Sequence, residues 1–346
     1  MALVYLGLLF WHADNLGDSW AYLWATLAIL LAQWLARLFY YTRPFSLRST
    51  WLSGAMTTAK NMPGGMTSIE VSAPQDFDYR PGQHCFLRFP ALSLLDNHPF
   101  TIASAPPSIT AGRETTHELS FMARTYSGFT KKLSKSSGNT SGKPLFAWVD
   151  GPYGGVSRQF ESLYDTLVLV AGGPGITACL PWIKCLVQAK ESRVTRVALR
   201  WAVKERSHLG WAEEALKEVR MLQQHTKERV EVDVQFFVTC SIDSRLENIA
   251  IAADVGEKRK AGNEILSVSS SSSNIDSDSP PECVYRRPDM REIVSEEAQR
   301  GSKVFVFGCG PEAMQVDLSN AVANAQANVF AGSVQEVALH LEAFGM

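Results

Sequence analysis

The sequence predicts a membrane-anchored α+β chain in three parts: the end of a transmembrane domain at 1–45, an antiparallel β unit at 50–155, and an α/β unit built on a parallel sheet at 160–346. Three observations predict it. Trp20 to Leu38 is apolar apart from Thr26, Gln33 and Arg37. Between Thr50 and Tyr153, short β-rich runs alternate with turn residues. From Leu163 onward, apolar runs of strand length alternate with helical periods, as in a parallel sheet with crossover helices.

Composition narrows the class of protein. The 346 residues hold two ordinary domains and an appendage, and 46% apolar content suffices for packed cores. A net charge of -2 gives no electrostatic footprint for nucleic acid, so nucleic acid is excluded as a partner. The six cysteines form no Cys-x-x-Cys pair and read as free thiols of a reducing compartment, not as a structural metal site. Of the nine tryptophans, four precede residue 40, which points to a membrane interface.

Residues 1–11 are apolar, with neither a basic leading segment nor a small-residue cleavage site, and read as the end of a membrane helix rather than a secretory signal. A polar break at His12 to Ser19 follows. Trp20 to Leu38 is long enough to cross roughly 30 Å of hydrocarbon. Trp20, Tyr22 and Trp24 on one side and Phe39, Tyr40 and Tyr41 on the other resemble interfacial belts. Arg37, Arg43 and Arg48 after the run, against Asp14 and Asp18 before it, send everything beyond Pro44 to the cytosol. The competing reading is a buried helical hairpin of a soluble protein.

Strand-like runs then occur at Thr67 to Val71, His84 to Phe89, Phe100 to Ala103, Glu118 to Ala123 and Leu145 to Val149. Turns separate them at Pro63-Gly64-Gly65, Pro106-Pro107 and Ser136 to Gly142. The pattern suits a small antiparallel barrel, and a sandwich has the same texture. Thr166 to Ala171 is continuously apolar, the mark of a strand buried on both faces. A helix to about Lys190 follows, beginning near Cys179 with Pro181 in its first turn. Next come a strand at Val194 to Val203, a helix at Ala212 to Gln224 and a strand at Val230 to Thr239. A serine-rich, acidic stretch at about 248–282 cannot bury enough apolar surface to order itself and reads as a disordered insertion. A helix at Asp289 to Gln299, a strand at Lys303 to Gly308, a helix from Glu312 and a last strand after Asn328 complete the pattern.

Several stretches carry chemistry. Asn97-His98-Pro99-Phe100-Thr101-Ile102-Ala103-Ser104, on its own, is an edge strand with a proline at its start. Ser127-Gly128-Phe129-Thr130-Lys131-Lys132-Leu133 is a helix start. Ala171-Gly172-Gly173-Pro174-Gly175-Ile176-Thr177 lies where a buried strand hands over to a helix, so that backbone N–H groups and the helix dipole converge as a dinucleotide phosphate requires. Lys204 and Arg206 follow the next strand, where a basic group selects a 2′-phosphate. Phe307-Gly308-Cys309-Gly310-Pro311-Glu312 ends another apolar strand.

In this order, and with Asp150-Gly151-Pro152-Tyr153-Gly154 between them, these stretches resemble the flavin- and NADPH-binding half of the ferric reductase and NADPH oxidase family, within the wider ferredoxin-reductase-like flavoproteins. The likeness is strongest to fungal metalloreductases. It implies that the β unit is a barrel binding FAD and that the α/β unit binds NADPH. It implies a flavin-binding strand of His98, Pro99, Phe100 and Thr101, with Thr101 at the reactive edge of the ring, and a pyrophosphate site at Gly128, Phe129 and Thr130, assisted by Lys131 or Lys132. Gly172, Gly173, Gly175, Ile176 and Thr177 would take the NADPH phosphates, Lys204, Arg206 and Arg287 its 2′-phosphate, and Cys309, Gly310 and Pro311 its nicotinamide. Thr101 and Cys309 are then the catalytic pair. Glu342-Ala343-Phe344-Gly345 resembles the family's flavin-capping end but closes on Met346, where relatives have an aromatic.

The family's membrane domain also holds haem b between paired histidines. His12 stands where the second of a pair would stand, its partner falling before Met1; a haem ligand and a lone interfacial histidine are both open. The implied route runs from NADPH through FAD and haem to a ferric chelate or other acceptor outside the plasma membrane, with the FAD and NADPH domains cytosolic and the bilayer as partner. A superoxide-producing oxidase and a truncated, non-catalytic membrane protein are the alternatives. All of this requires Thr101, Gly172 and Cys309 to meet in one crevice.

Overall fold

The computed structural model describes residues 2–13, 19–40, 54–74, 77–93, 96–106, 116–138, 145–156, 160–189, 191–225, 229–239 and 282–343. The insertion up to residue 281, Asp14, Asp18, Arg43, Arg48 and the end at Phe344 to Met346 lie outside them.

Helices α1 (Ala2–Ala13) and α2 (Ser19–Tyr40) form a pair. The Phe10 ring lies 5.5 Å from Trp20 and 5.6 Å from Trp24. Along α2, Ile29, Leu31 and Trp34 are exposed, as is Trp24. A helix thus forms where a membrane crossing was expected, at Trp20 to Leu38, but among the described residues no helix is long and apolar enough to cross a membrane. Thr26 and Gln33 dilute the apolar run, and the Thr26 hydroxyl turns back to the Tyr22 carbonyl at 2.8 Å.

The first sheet contains β1 (Ala55–Met62), β2 (Met66–Pro74), β3 (Gln83–Arg88), β4 (His98–Thr101), β5 (Thr116–Arg124) and β6 (Leu145–Gly154), with helix α3 (Phe129–Gly138) between β5 and β6. Its order is β4-β3-β6-β1-β2-β5 and every pairing is antiparallel. The edges meet where Ile102 bridges Phe121 and Ala103 N–H donates to the Ser120 carbonyl at 2.7 Å, so the sheet closes as a barrel. Alternating side chains fill it, among them Ile69, Val71, Leu87, Ile102, Leu119 and Phe121, and α3 contributes Phe129 and Leu133. Strand β1 was not foreseen. Ala-Met-Thr-Thr-Ala-Lys-Asn-Met has little intrinsic strand preference; its pairing with β2, from Thr57 opposite Val71 to Met62 opposite Met66, makes it one.

The second sheet is parallel, in the order β10-β9-β8-β7-β11-β12. In chain order it comprises α4 (Phe160–Leu163), β7 (Thr166–Gly172), a 3-10 turn (Gly173–Gly175), α5 (Ile176–Gln188), β8 (Arg196–Val203), a 3-10 segment (Arg206–Trp211), α6 (Glu213–His225), β9 (Glu231–Val238), β10 (Cys283–Val284), α7 (Met290–Arg300), β11 (Lys303–Gly310), α8 (Glu312–Phe330) and β12 (Glu336–Ala343). Strand β7 is buried throughout. From it the chain moves outward through β8 on one side and later returns to β11 on the other, so the strand order reverses between β7 and β11. Ligands of open α/β sheets sit at such a reversal, beyond the carboxyl ends of the strands. The helix expected from Cys179 starts earlier, at Ile176, with Pro181 inside it. The one hydrogen bond that Pro181 forfeits is outweighed by a helix buried along almost its whole length.

Charge also lies where the sequence suggested only apolar strands. On β8, Arg196 and Arg200 are buried and both bond the fully buried Glu297 of α7, Arg196 through Nε at 2.7 Å and Arg200 through Nη2 at 3.0 Å. Asp233 and Glu231 of β9 complete the network.

Candidate functional site

At the reversal, the strand exits touch backbone to backbone. A Cβ on Gly172 would stand 2.6 Å from Pro311 Cδ and 3.3 Å from Gly310 Cα, and one on Gly175 would stand 2.0 Å from the Cys309 carbonyl oxygen. Glycine is required at both positions because nothing larger fits. Gly173 differs: its φ is +54° and the space above it is open. The turn is pinned beneath by Trp201, whose Nε1–H donates to the Gly173 carbonyl at 2.9 Å. Ile176 is buried in the core and its N–H is spent on the turn, while Thr177 donates its hydroxyl to the Pro174 carbonyl at 2.9 Å. These two residues shape the cradle; its free face is Gly173.

Cys309 ends β11 beside this turn and is buried. Burial, with Glu342 across the ladder adding to it, pushes its thiol up to about 12, so the sulfur is a neutral contact surface and no thiolate nucleophile. Gln315 ties the two strand ends together, its Nε2 donating to the Gly310 carbonyl at 2.8 Å and to the Glu342 carbonyl at 3.1 Å.

Burial lowers the His84 pKa, and the charge of Glu342 opposes that shift. His84 pairs with Thr101 on β4 and with Tyr153 on β6. Thr101 and His84 thus share one rung of the barrel, while Cys309, Glu342 and the Gly172 turn gather at the carboxyl edge of the parallel sheet.

Alternation along β4 puts Pro99 and Thr101 on one face and His98 and Phe100 on the other. Pro99 pairs with Phe86 and Thr101 with His84. His84, Phe86 and Tyr153 form an aromatic cluster with ring separations of 5.6, 5.7 and 6.1 Å. On the other face His98 stacks on Phe129 at 4.4 Å, and its Nε2 is buried without a partner. Phe129 itself lies in the barrel core, and the Thr130 hydroxyl accepts the Tyr126 N–H at 3.0 Å, so both organise the turn whose exposed point is Gly128, with φ +62° and open space above it. Lys131 and Lys132 flank it, exposed.

Lys204, Arg206 and Arg287 are exposed at the carboxyl edge of β8 and β10. Tyr285, which the sequence did not single out, joins them by accepting Arg206 Nη1–H at 3.2 Å. His12 stands exposed at the end of α1, and no other histidine precedes His84. Among the described residues no group of three or more His, Cys, Asp or Glu side chains is placed to hold a metal ion. An open polar depression of about 710 Å³, lined by Asp165, Arg196, Glu231 and Arg300, opens at the opposite, amino edge of the sheet.

Of the residues beside Thr101, the sequence named Tyr153 only within a longer motif and gave a partial signal for His84 and Phe86. His84 and Phe86 share a strand face by their spacing of two, but only the register reveals what stands beside them.

Residues 51–157 match the FAD-binding domain model and residues 164–323 the ferric reductase NAD-binding domain model. The chain belongs to the ferric reductase family. Similar ferric reductases include the probable cell surface ferric reductase kap2 of Aspergillus oryzae, 33% identical over 223 residues, covering 63% of this chain and 29% of that protein. Ferric/cupric reductase transmembrane component 7 of Saccharomyces cerevisiae is 25% identical over 362 residues, covering 97% of this chain and 54% of the relative. The chain thus spans about half or less of the length of these relatives. In architecture it resembles the Amycolatopsis cytochrome P450 reductase GcoB, with a TM-score of 0.51 and 14% identity over 84% of this chain and 69% of that one. The fold is ferredoxin-reductase-like: an antiparallel FAD unit joined to a parallel-sheet NAD unit.

Proposed function

We propose that this chain is the electron-entry part of an NADPH-dependent ferric-chelate reductase. The reading is supported by two clusters, the Thr101–His84 rung of the barrel and the close-packed Cys309 and Gly172–Gly175 strand exits of the parallel sheet, which would face each other across one crevice. Bound there, FAD would accept a hydride from NADPH and hand electrons on singly, through membrane haem in the longer family architecture, to ferric chelate outside the cell.

The residues fit both groups. Pro99, Thr101, His84, Phe86 and Tyr153 offer an apolar, aromatic face with one hydroxyl to a flat ring. Gly128 exposes backbone N–H to a pyrophosphate, with Lys131 and Lys132 supplying charge. Gly173 does the same at the start of α5, where the helix dipole favours an anion. Lys204, Arg206 and Arg287 would hold the 2′-phosphate and thereby select NADPH. Cys309, kept neutral, would press on the nicotinamide without competing for the hydride. Phe344 would cover the flavin face between turnovers, and His12 would serve haem only with a partner histidine from another helix.

The exposed apolar side of α2, together with Trp11 of α1, supports attachment of the chain to a bilayer, at the plasma membrane with both nucleotide units on the cytosolic side. The test is to purify the chain with FAD and follow NADPH-dependent reduction of ferricyanide. Yellow protein that oxidises NADPH in preference to NADH is expected; a chain that folds but takes up neither nucleotide sinks the proposal.

A further inference from the structure

One seam between the two sheets joins the tip of the β1–β2 hairpin to the 3-10 segment Arg206–Trp211. Trp211 donates Nε1–H to the Pro63 carbonyl at 2.7 Å and stacks on His208 at 4.5 Å and 16°. Both rings are buried. Gly64 rides directly on the histidine: a Cβ there would lie 2.3 Å from His208 Cδ2 and 2.4 Å from Nε2. With φ at +72° the position excludes other residues on conformational grounds as well. Gly65, with φ +70°, shares that conformation but has open space around it.

The clamped segment continues directly from the loop that carries Lys204 and Arg206. One end of that loop leaves β8; the other is locked beneath the hairpin by buried Leu209 and Trp211 and by the His208 N–H bond to the Glu205 carbonyl at 3.1 Å. Flexible cationic side chains bind a phosphate more tightly when their backbone is already fixed, since less freedom is lost on binding.

We propose that Gly64, His208 and Trp211 are positioning residues through which the flavin barrel holds the Lys204–Arg206 loop in its phosphate-binding form, and so sets the affinity for the 2′-phosphate of NADPH. This rests on the assignment of Lys204 and Arg206 proposed above. The groups facing His208 agree with it: Glu205, 3.9 Å from Nε2, and Lys204 on its own loop, and Arg124 on the barrel side. Burial keeps the ring neutral between Arg124 and Lys204; a protonated ring would repel both cations and loosen the seam.

The test uses the full chain loaded with FAD, calorimetric titration with 2′,5′-ADP, and steady-state kinetics with NADPH and NADH. Gly64→Ala breaks the contact, Trp211→Phe keeps the ring and removes the donor, and Gly65→Ala is the control with equal backbone strain. The first two are expected to weaken 2′,5′-ADP binding and raise KM for NADPH about fivefold, with kcat and the KM for NADH within about twofold of the parent. Gly65→Ala should leave all three unchanged. If Gly64→Ala fails to retain FAD, Trp211→Phe decides. Equal losses for NADH and NADPH, or no loss, overturn the latch. If Lys204→Ala and Arg206→Ala leave 2′,5′-ADP binding intact, the underlying assignment falls and the latch with it; if they weaken it while the latch variants do not, the latch alone falls.

Discussion

Cys309 shows how one residue's surroundings decide its role. A thiol held up to about 12 by burial is protonated at any working pH, so it can neither attack nor abstract, and what remains is its shape at the strand end. Cys309→Ser is therefore expected to slow reduction of the flavin by NADPH roughly ten- to hundredfold, as a small misplacement of reacting groups does, with little change in NADPH affinity. Stopped-flow bleaching of the flavin band checks this, and a rate that tracks a titration near neutral pH would contradict it. The two cradle glycines separate sterics from conformation. Gly175→Ala drives a methyl into the Cys309 carbonyl and should cost about 1–3 kcal/mol of stability along with nucleotide binding. Gly173→Ala meets no atom but strains a left-handed backbone by about 1–2 kcal/mol. Urea unfolding of both variants, with FAD content as the control, distinguishes the two costs.

At the scale of elements, legibility followed the strength of local pattern. Strands β7 and β11 were plain because unbroken apolar runs admit few other readings, and α7 because Asp289 caps it, accepting N–H bonds from Arg291 and Glu292. Strand β1 was not, since its partner rather than its composition makes it a strand, and neither was the start of α5, where tertiary burial overrode the proline. The glycine stretches marked the cradle. His84 stayed hidden because its pairing with Thr101 and Tyr153 leaves no local trace in the sequence. Nor did the sequence disclose that Arg196 and Arg200 point inward, because the carboxylate that satisfies them lies on α7, beyond the insertion. That network is the pin holding α7 to β8. Hydrogen bonding to Glu297 is the main reason that Arg196 stays charged against burial. Removing Glu297 takes away the buried carboxylate and leaves Arg196 and Arg200 only the more exposed Asp233 and Glu231, so Glu297→Ala is expected to cost about 3 kcal/mol. Denaturant unfolding measures it, and a loss below about 1 kcal/mol would mean that solvent reaches the pair.

For the whole molecule, the buried titratable groups bound the pH range of stability from both sides. His84, His117 and His208 all titrate below the ordinary 6.5 because burial disfavours the cation. On acidification below 6.5 the unfolded chain takes up protons first, so stability falls as pH drops through that window. Cys85, Cys185 and Cys309 are pushed from 9.0 up to about 12, so above 9.0 the unfolded chain loses protons first and stability falls again. Unfolding curves should show a plateau between these limits, and a maximum outside it would assign the shifts to other groups. The three hydrophobic cores fix a last expectation, because among the described residues none of them contains one before Ala55. The barrel closes on itself through Ile102 and Phe121, and the parallel sheet packs on its own helices and on the hairpin, with no described side chain of α1 or α2 among the core residues. A chain beginning at Gly54 should therefore fold, bind FAD and reduce ferricyanide with NADPH about as fast as the full chain, and should lose the attachment to lipid proposed above for the exposed apolar residues of α2. Flotation with anionic vesicles should carry the full chain and leave the shortened one behind; equal flotation would move the lipid contact onto the nucleotide units, and loss of flavin would show that the helix pair supports the barrel after all.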